Sequence, residues 1–268
     1  VSDVTRTFRA LPTMLAVGFS SSVAYRAEFL VWMLATNMPI IMLLLWSAVA
    51  QEAPLGRMGP SQLGAYFLAV LVVRLLTSCW VVWEMNWEVR RGYLGMRLLK
   101  PMHPFLSYAA DHVAAIPLRA LMSVPIAAGA LWWLGAAQLS GDVVHWVVWP
   151  LTVVGAWLII FGVGLVVGTL SLWWESSLAL NDLWLALFFV FSGYTIPLEL
   201  FPGWLLDVVR WLPFRFALAF PVEVMLGLVD RRGLLEGLAA QWGYAGLAMG
   251  LALGLWRQGL RRHAFYGG

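Results

Sequence analysis

Few residues in this chain could do covalent chemistry, and those few do not converge. The four histidines, His103, His112, His145 and His263, are scattered, and Cys79 is the single cysteine. The sequence holds no HExxH, GxSxG or Walker lysine loop. A metal site is therefore not expected, and one cysteine excludes both an intrachain disulfide and a cysteine cluster. The informative polar residues act through charge. Arg74 falls midway along an apolar run, where an arginine costs at least ~2.5 kcal/mol by insertion scales. It must face a protein interior, a wet cavity or a partner. Backbone carbonyls or a subunit contact would satisfy it, and so would an anionic or polar substrate. Arg119, near the start of the next run, can snorkel to the membrane interface. Asn181 and Asp182 open a later run, where capping is the expected role.

A second group lies between Trp87 and Pro104. A charged turn containing Glu88, Arg90, Arg91 and Gly92 leads into a short apolar segment stopped by Pro101 and Pro104. A helix there exposes Leu94, Leu98 and Leu99 beside Arg97 and Lys100. An apolar knob with a basic rim reads as a docking surface, and equally as a plain interfacial helix.

The elements that position these residues must live in lipid. Apolar residues make up 62% of the 268 and charged ones only 12%, too few to cover a water-soluble surface. Many of the 17 tryptophans, among them Trp46, Trp80, Trp83 and Trp87, sit near the ends of apolar runs, as interfacial anchors do. The net charge of +3 is too small and scattered for a nucleic-acid footprint. Six stretches reach the ~20 residues a helical span needs, at 29–49, 63–84, 114–136, 145–172, 178–197 and 235–256. The alternation of a β-barrel is absent. Upstream, Phe8, Leu11, Leu15 and Phe19 mark an amphipathic interfacial helix over 5–20. Lysine and arginine are commoner on the side of the amino terminus, which places both termini in the cytoplasm. The outer segment 197–234 is too apolar for a solvated loop and is cut by Pro197, Pro202, Pro213 and Pro221. Short helices that dip into the outer leaflet and return fit it. Gly193, Pro197, Phe201, Pro202, Pro213 and Phe214 are candidate gate elements, or simply packing and termination residues.

Three stretches resemble permease subunits of type-2 ABC transporters, in a poorly characterised exporter-like subfamily. Arg91, Gly92, Leu98, Leu99, Lys100 and Pro101 are similar to its coupling-helix region, with Gly95 where an aspartate is common. The run from Phe191-Ser192-Gly193 through Phe214 to Glu223 resembles its re-entrant hairpin, and Trp256 to Arg262 and on through Gly267-Gly268 its tail. The resemblance implies an all-α membrane protein of one permease domain. It would have six transmembrane helices, an N-terminal amphipathic helix, a cytoplasmic coupling helix over 86–104 and an external re-entrant hairpin. It also implies a multi-pass protein of a bacterial-type plasma (inner) membrane that hydrolyses no ATP and binds no cofactor itself. A cytoplasmic ABC ATPase carrying ATP and Mg would dock on residues 88–101, and a second permease, like or unlike, would complete the path. The rivals are an ATP-independent channel or secondary transporter, for which no midplane acids or broken helices are evident, and a membrane scaffold. Lipids surround it in every case, and the cargo is not written in the sequence.

Overall fold

The computed structural model describes residues 3–24, 31, 38–52, 58–100, 102–134, 139–174 and 177–263. The elements within them are helical: α1 (Asp3–Ala24), α2 (Met38–Glu52), α3 (Pro60–Thr77), α4 (Val81–Arg90), α5 (Leu94–Leu98), α6 (Pro104–Ala114) and α7 (Ile116–Leu134). They continue with α8 (Val143–Thr169), α9 (Leu178–Phe191), α10 (Gly203–Val209), α11 (Pro213–Ala217), α12 (Ala219–Met225) and α13 (Arg231–His263).

Among the described residues, four segments are long and apolar enough to cross a membrane: Pro60–Arg90, Pro104–Gly129, Val143–Leu172 and Arg231–Arg261. The other two expected spans are shorter. Of 29–49, the part before Met38 lies outside the described residues apart from Val31. The expected span over 178–197 stops being helical at Phe191 after 14 residues, which reach about 21 Å against a hydrocarbon core of ~30 Å. It stops because Gly193 takes a left-handed φ of 83° and the Tyr66 hydroxyl on α3 donates to the Gly193 carbonyl at 2.9 Å. A side chain at 193 would collide with that hydroxyl.

The second expected span is interrupted. α3 ends at Thr77 and α4 starts at Val81, with no proline or glycine between them. Side chains take over the released carbonyls. Thr77 and Ser78 hydroxyls donate back to Val73 and Arg74 carbonyls at 2.8 and 2.7 Å. Arg119 donates to the Ser78 carbonyl at 2.6 Å and lies over Trp80. At 2% exposure Arg119 is buried, so it does not snorkel as expected; the break holds it inside. α3 itself is buried almost all round, which makes it the central element, packed by α2, α7, α8 and α12.

α8 and α13 form the most extensive helix pair, brought close where Gly162 faces Ala248. The segment expected to dip and return is a set of short helices, α10 to α12, cut as the prolines require. Its returning half is core rather than surface: Phe216, Leu218, Phe220 and Val222 are fully buried, and α11 and α12 pack on α8. Arg215 and Glu223 close it with a bidentate pair at 2.6–3.2 Å. Gln241 on α13 then ties it to the bundle, its amide donating to the Phe216 carbonyl at 2.8 Å and the Thr152 carbonyl at 2.9 Å.

α1 packs along α6, with Gly18 against Ala114. Of the stripe read from the sequence, Leu11 and Leu15 are half-buried and Phe19 is exposed; the Phe8 side chain lies outside the described residues.

Candidate functional site

The segment between the Pro60–Arg90 and Pro104–Gly129 helices is built around one guanidinium. Gly92, at φ 76°, turns the chain out of α4 into the five-residue α5. That turn swings Arg97 back between α4 and α6. Arg97 Nε donates to both oxygens of Glu88 at 2.8 and 2.9 Å, and one terminal nitrogen contacts Glu84. The other donates to Ser107 at 2.8 Å and Asp111 at 3.1 Å. The Tyr108 ring lies 3.9 Å from the guanidinium carbon, and its hydroxyl donates to Glu88 at 2.6 Å. Burial opposes the Arg97 charge, but Glu84 and Glu88 outweigh it and hold the group above its usual range.

This corrects the expected surface. Arg97 belongs to an interior network, not to an exposed rim, because three carboxylates surround it. Leu94, at 2% exposure, is buried beneath α5 with Phe105 and Tyr108 in its cluster, since it starts the helix on the face turned inward. Glu88 is buried as well. What stays outside is Tyr93, Met96, Leu98 and Leu99, flanked by Arg90, Arg91 and Lys100. Leu99 is 86% exposed, high for a leucine with no packing role of its own. Pro101 lies outside the described residues.

A second polar locus sits in the membrane interior at the break. A cavity of about 120 Å³ is lined by Arg74 and Cys79 on one side and by Asn181, Trp184, Phe188 and Phe189 of α9 on the other. Arg74 lies 5.3 Å from the centre of the Phe188 ring and 6.0 Å from that of Tyr194. Asn181 is not a cap: Ser177 holds the N-cap position of α9, Asn181 is buried one turn in, and Asp182 is exposed. Trp83 lines this cavity and also a broad cleft of about 1200 Å³ between α1, α4 and α6. Trp80, Trp83 and Trp87 line the α4 side of that cleft with Glu84, Arg90 and Arg91.

With this geometry in place, the comparison with known families is decisive: residues 38–267 match the family model described as ABC-2 family transporter protein. The chain belongs to the ABC-2 transporter family. It is the membrane-spanning permease subunit of a type-2 ABC transporter, a multi-pass membrane protein whose family implies an ATPase partner. No curated protein matches the chain.

Of the candidate gate residues in this permease, Arg74 lines the membrane cavity, and Phe214 packs on the cavity residue Trp184 with ring centres 4.7 Å apart. Gly193 sets the turn below Tyr66. Pro197, Phe201, Pro202 and Pro213 stand at helix ends in the hairpin, away from the described cavity lining. Sequence reading missed Glu84, Ser107, Tyr108 and Asp111. The signal was available, since Glu84 and Glu88 stand four apart on one helix, as do Ser107 and Asp111, and two stacked acids call for a cation.

Proposed function

We propose that this permease receives the stroke of a separate cytoplasmic ABC ATPase through the outer face of α5, and so drives cargo across the bacterial-type plasma (inner) membrane, outward. The supporting observation is the contrast across α5: an apolar face open to solvent, and an arginine on the opposite face bonded to both neighbouring helices. Leu99, Leu98 and Met96 form the knob that the ATPase grips, and Arg90, Arg91 and Lys100 form the rim. The same α4 and α6 that Arg97 joins run into the Pro60–Arg90 and Pro104–Gly129 segments, so a push on α5 is passed to two spans at once. ATP and Mg sit in the partner. The push is productive only if the two permease conformations engage the ATPase differently. Six spans, with 38–52 and 178–191 contributing to the shorter two, both termini inside and a second permease, like or unlike, complete the proposed assembly.

Leu99→Glu tests this. The side chain is already in solvent, so folding should be unchanged, while ATPase co-purification and transport should both fall at least tenfold. Full co-purification would remove α5 as the docking element. The interruption in the second span favours one rival, because discontinuous spans are a habit of ATP-independent transporters. Transport by the permease in vesicles without any ATPase would establish that rival instead.

A further inference from the structure

The cavity at the helix break has one property that lipid packing does not require. Arg74 carries its charge into the membrane interior, and no carboxylate among the described residues pairs with it. Among the described residues its Nε has no hydrogen-bond partner; its neighbours are the rings of Phe188 and Tyr194, the Tyr194 hydroxyl and Cys79. On the facing helix Asn181, only 4% exposed, holds an Nδ2 that also has no partner among the described residues. Both side chains line the same cavity of about 120 Å³, and no described residue of its lining is acidic. A buried donor left without an acceptor is costly, so two such donors on residues that line one cavity point to a missing acceptor. The void exceeds what one water needs, about 10–15 Å³, by several-fold.

The geometry points to an oxyanion-binding site, in which Arg74 supplies the counter-charge and Asn181 a second donor to a phosphate or carboxylate group. The rest of the wall is indole, phenyl and aliphatic: Trp83, Trp184, Phe188 and Phe189 would hold a hydrocarbon portion next to the anion. Trp83 also lines the broad cleft beside α1, so the cavity and that cleft meet at one indole. The substrate class is thus an anionic amphiphile. The inference deepens the transporter reading and rests on it for regarding the bound molecule as cargo.

The test uses the purified complex of permease and ATPase and follows thermal unfolding with three probes: decyl phosphate, inorganic phosphate and decanol. Decyl phosphate should stabilise the wild type, and its apparent affinity should fall about tenfold or more in Arg74→Gln and in Asn181→Leu, the range expected for losing a charge-assisted hydrogen bond. Arg74→Lys should recover part of it. Stabilisation by decyl phosphate alone supports the anionic amphiphile; equal stabilisation by inorganic phosphate keeps the anion site but overturns the amphiphile as its ligand. Undiminished binding in both variants, or equal stabilisation by decanol, would overturn it. ATPase co-purification is read in the same samples. Its retention in Arg74→Gln keeps the docking reading separate from the anion site, whichever of the two fails.

Discussion

Arg97 and Arg74 are both withdrawn from bulk solvent, yet their surroundings are opposites. Arg97 meets Glu84, Glu88 and Asp111, together with a serine and a tyrosine ring, so all three of its nitrogens are engaged. Arg74 meets two aromatic rings, the Tyr194 hydroxyl and a cavity, with no carboxylate among the described residues. The first environment is saturated and belongs to the architecture that braces α5. The second has capacity left over. A buried charge with partners holds a fold together, whereas one without them is retained against its own cost and needs another reason to be there.

Replacing each arginine by glutamine breaks or sharpens that contrast. Arg97→Gln leaves Glu84 and Glu88 clustered without a cation and should destabilise the protein by about 3 kcal/mol, the cost of removing one partner from a buried pair. Thermal or denaturant unfolding reads this, and Arg97→Lys should recover little, because an ammonium cannot reproduce the fork. Arg74→Gln should do the reverse. With no pair to break, stability should hold or rise by up to ~2.5 kcal/mol, while transport falls. If both variants lose similar stability, the two arginines play the same structural role and the contrast fails. Gln241→Leu probes the outer half and should cost about 1–2 kcal/mol, less than Arg97→Gln. It frees the Phe216 carbonyl but leaves the apolar packing of α11 and α12 on α8 in place.

Much of this was legible in the sequence because lipid imposes strict rules on backbone and charge. Apolar length marked the stretches that became α3, α7, α8 and α13, and Pro197, Pro202 and Pro213 announced the cuts between the short outer helices. The break after Thr77 was not legible. Thr77 and Ser78 make it by bonding back to their own helix, and Arg119 completes it from a residue 41 positions away, so no local composition gives it away. The same long-range pairing hid the true role of Arg97. Its charge was visible, but the direction in which Gly92 turns it was not, and Leu94 turns inward with it. Asn181 was read as a cap because the start of α9 lies four residues earlier than its polar pair suggests.

Whether α5 is where the energy enters can be asked by proximity. A photo-crosslinking residue placed at Leu99, and in a control at Trp204 of α10, would be irradiated in membranes that also contain the ATPase; both positions are largely exposed, at 86% and 74%. The permease should be captured with the ATPase from position 99 and not from position 204. Capture from 204, or none from 99 in membranes that transport normally, would contradict the proposed route.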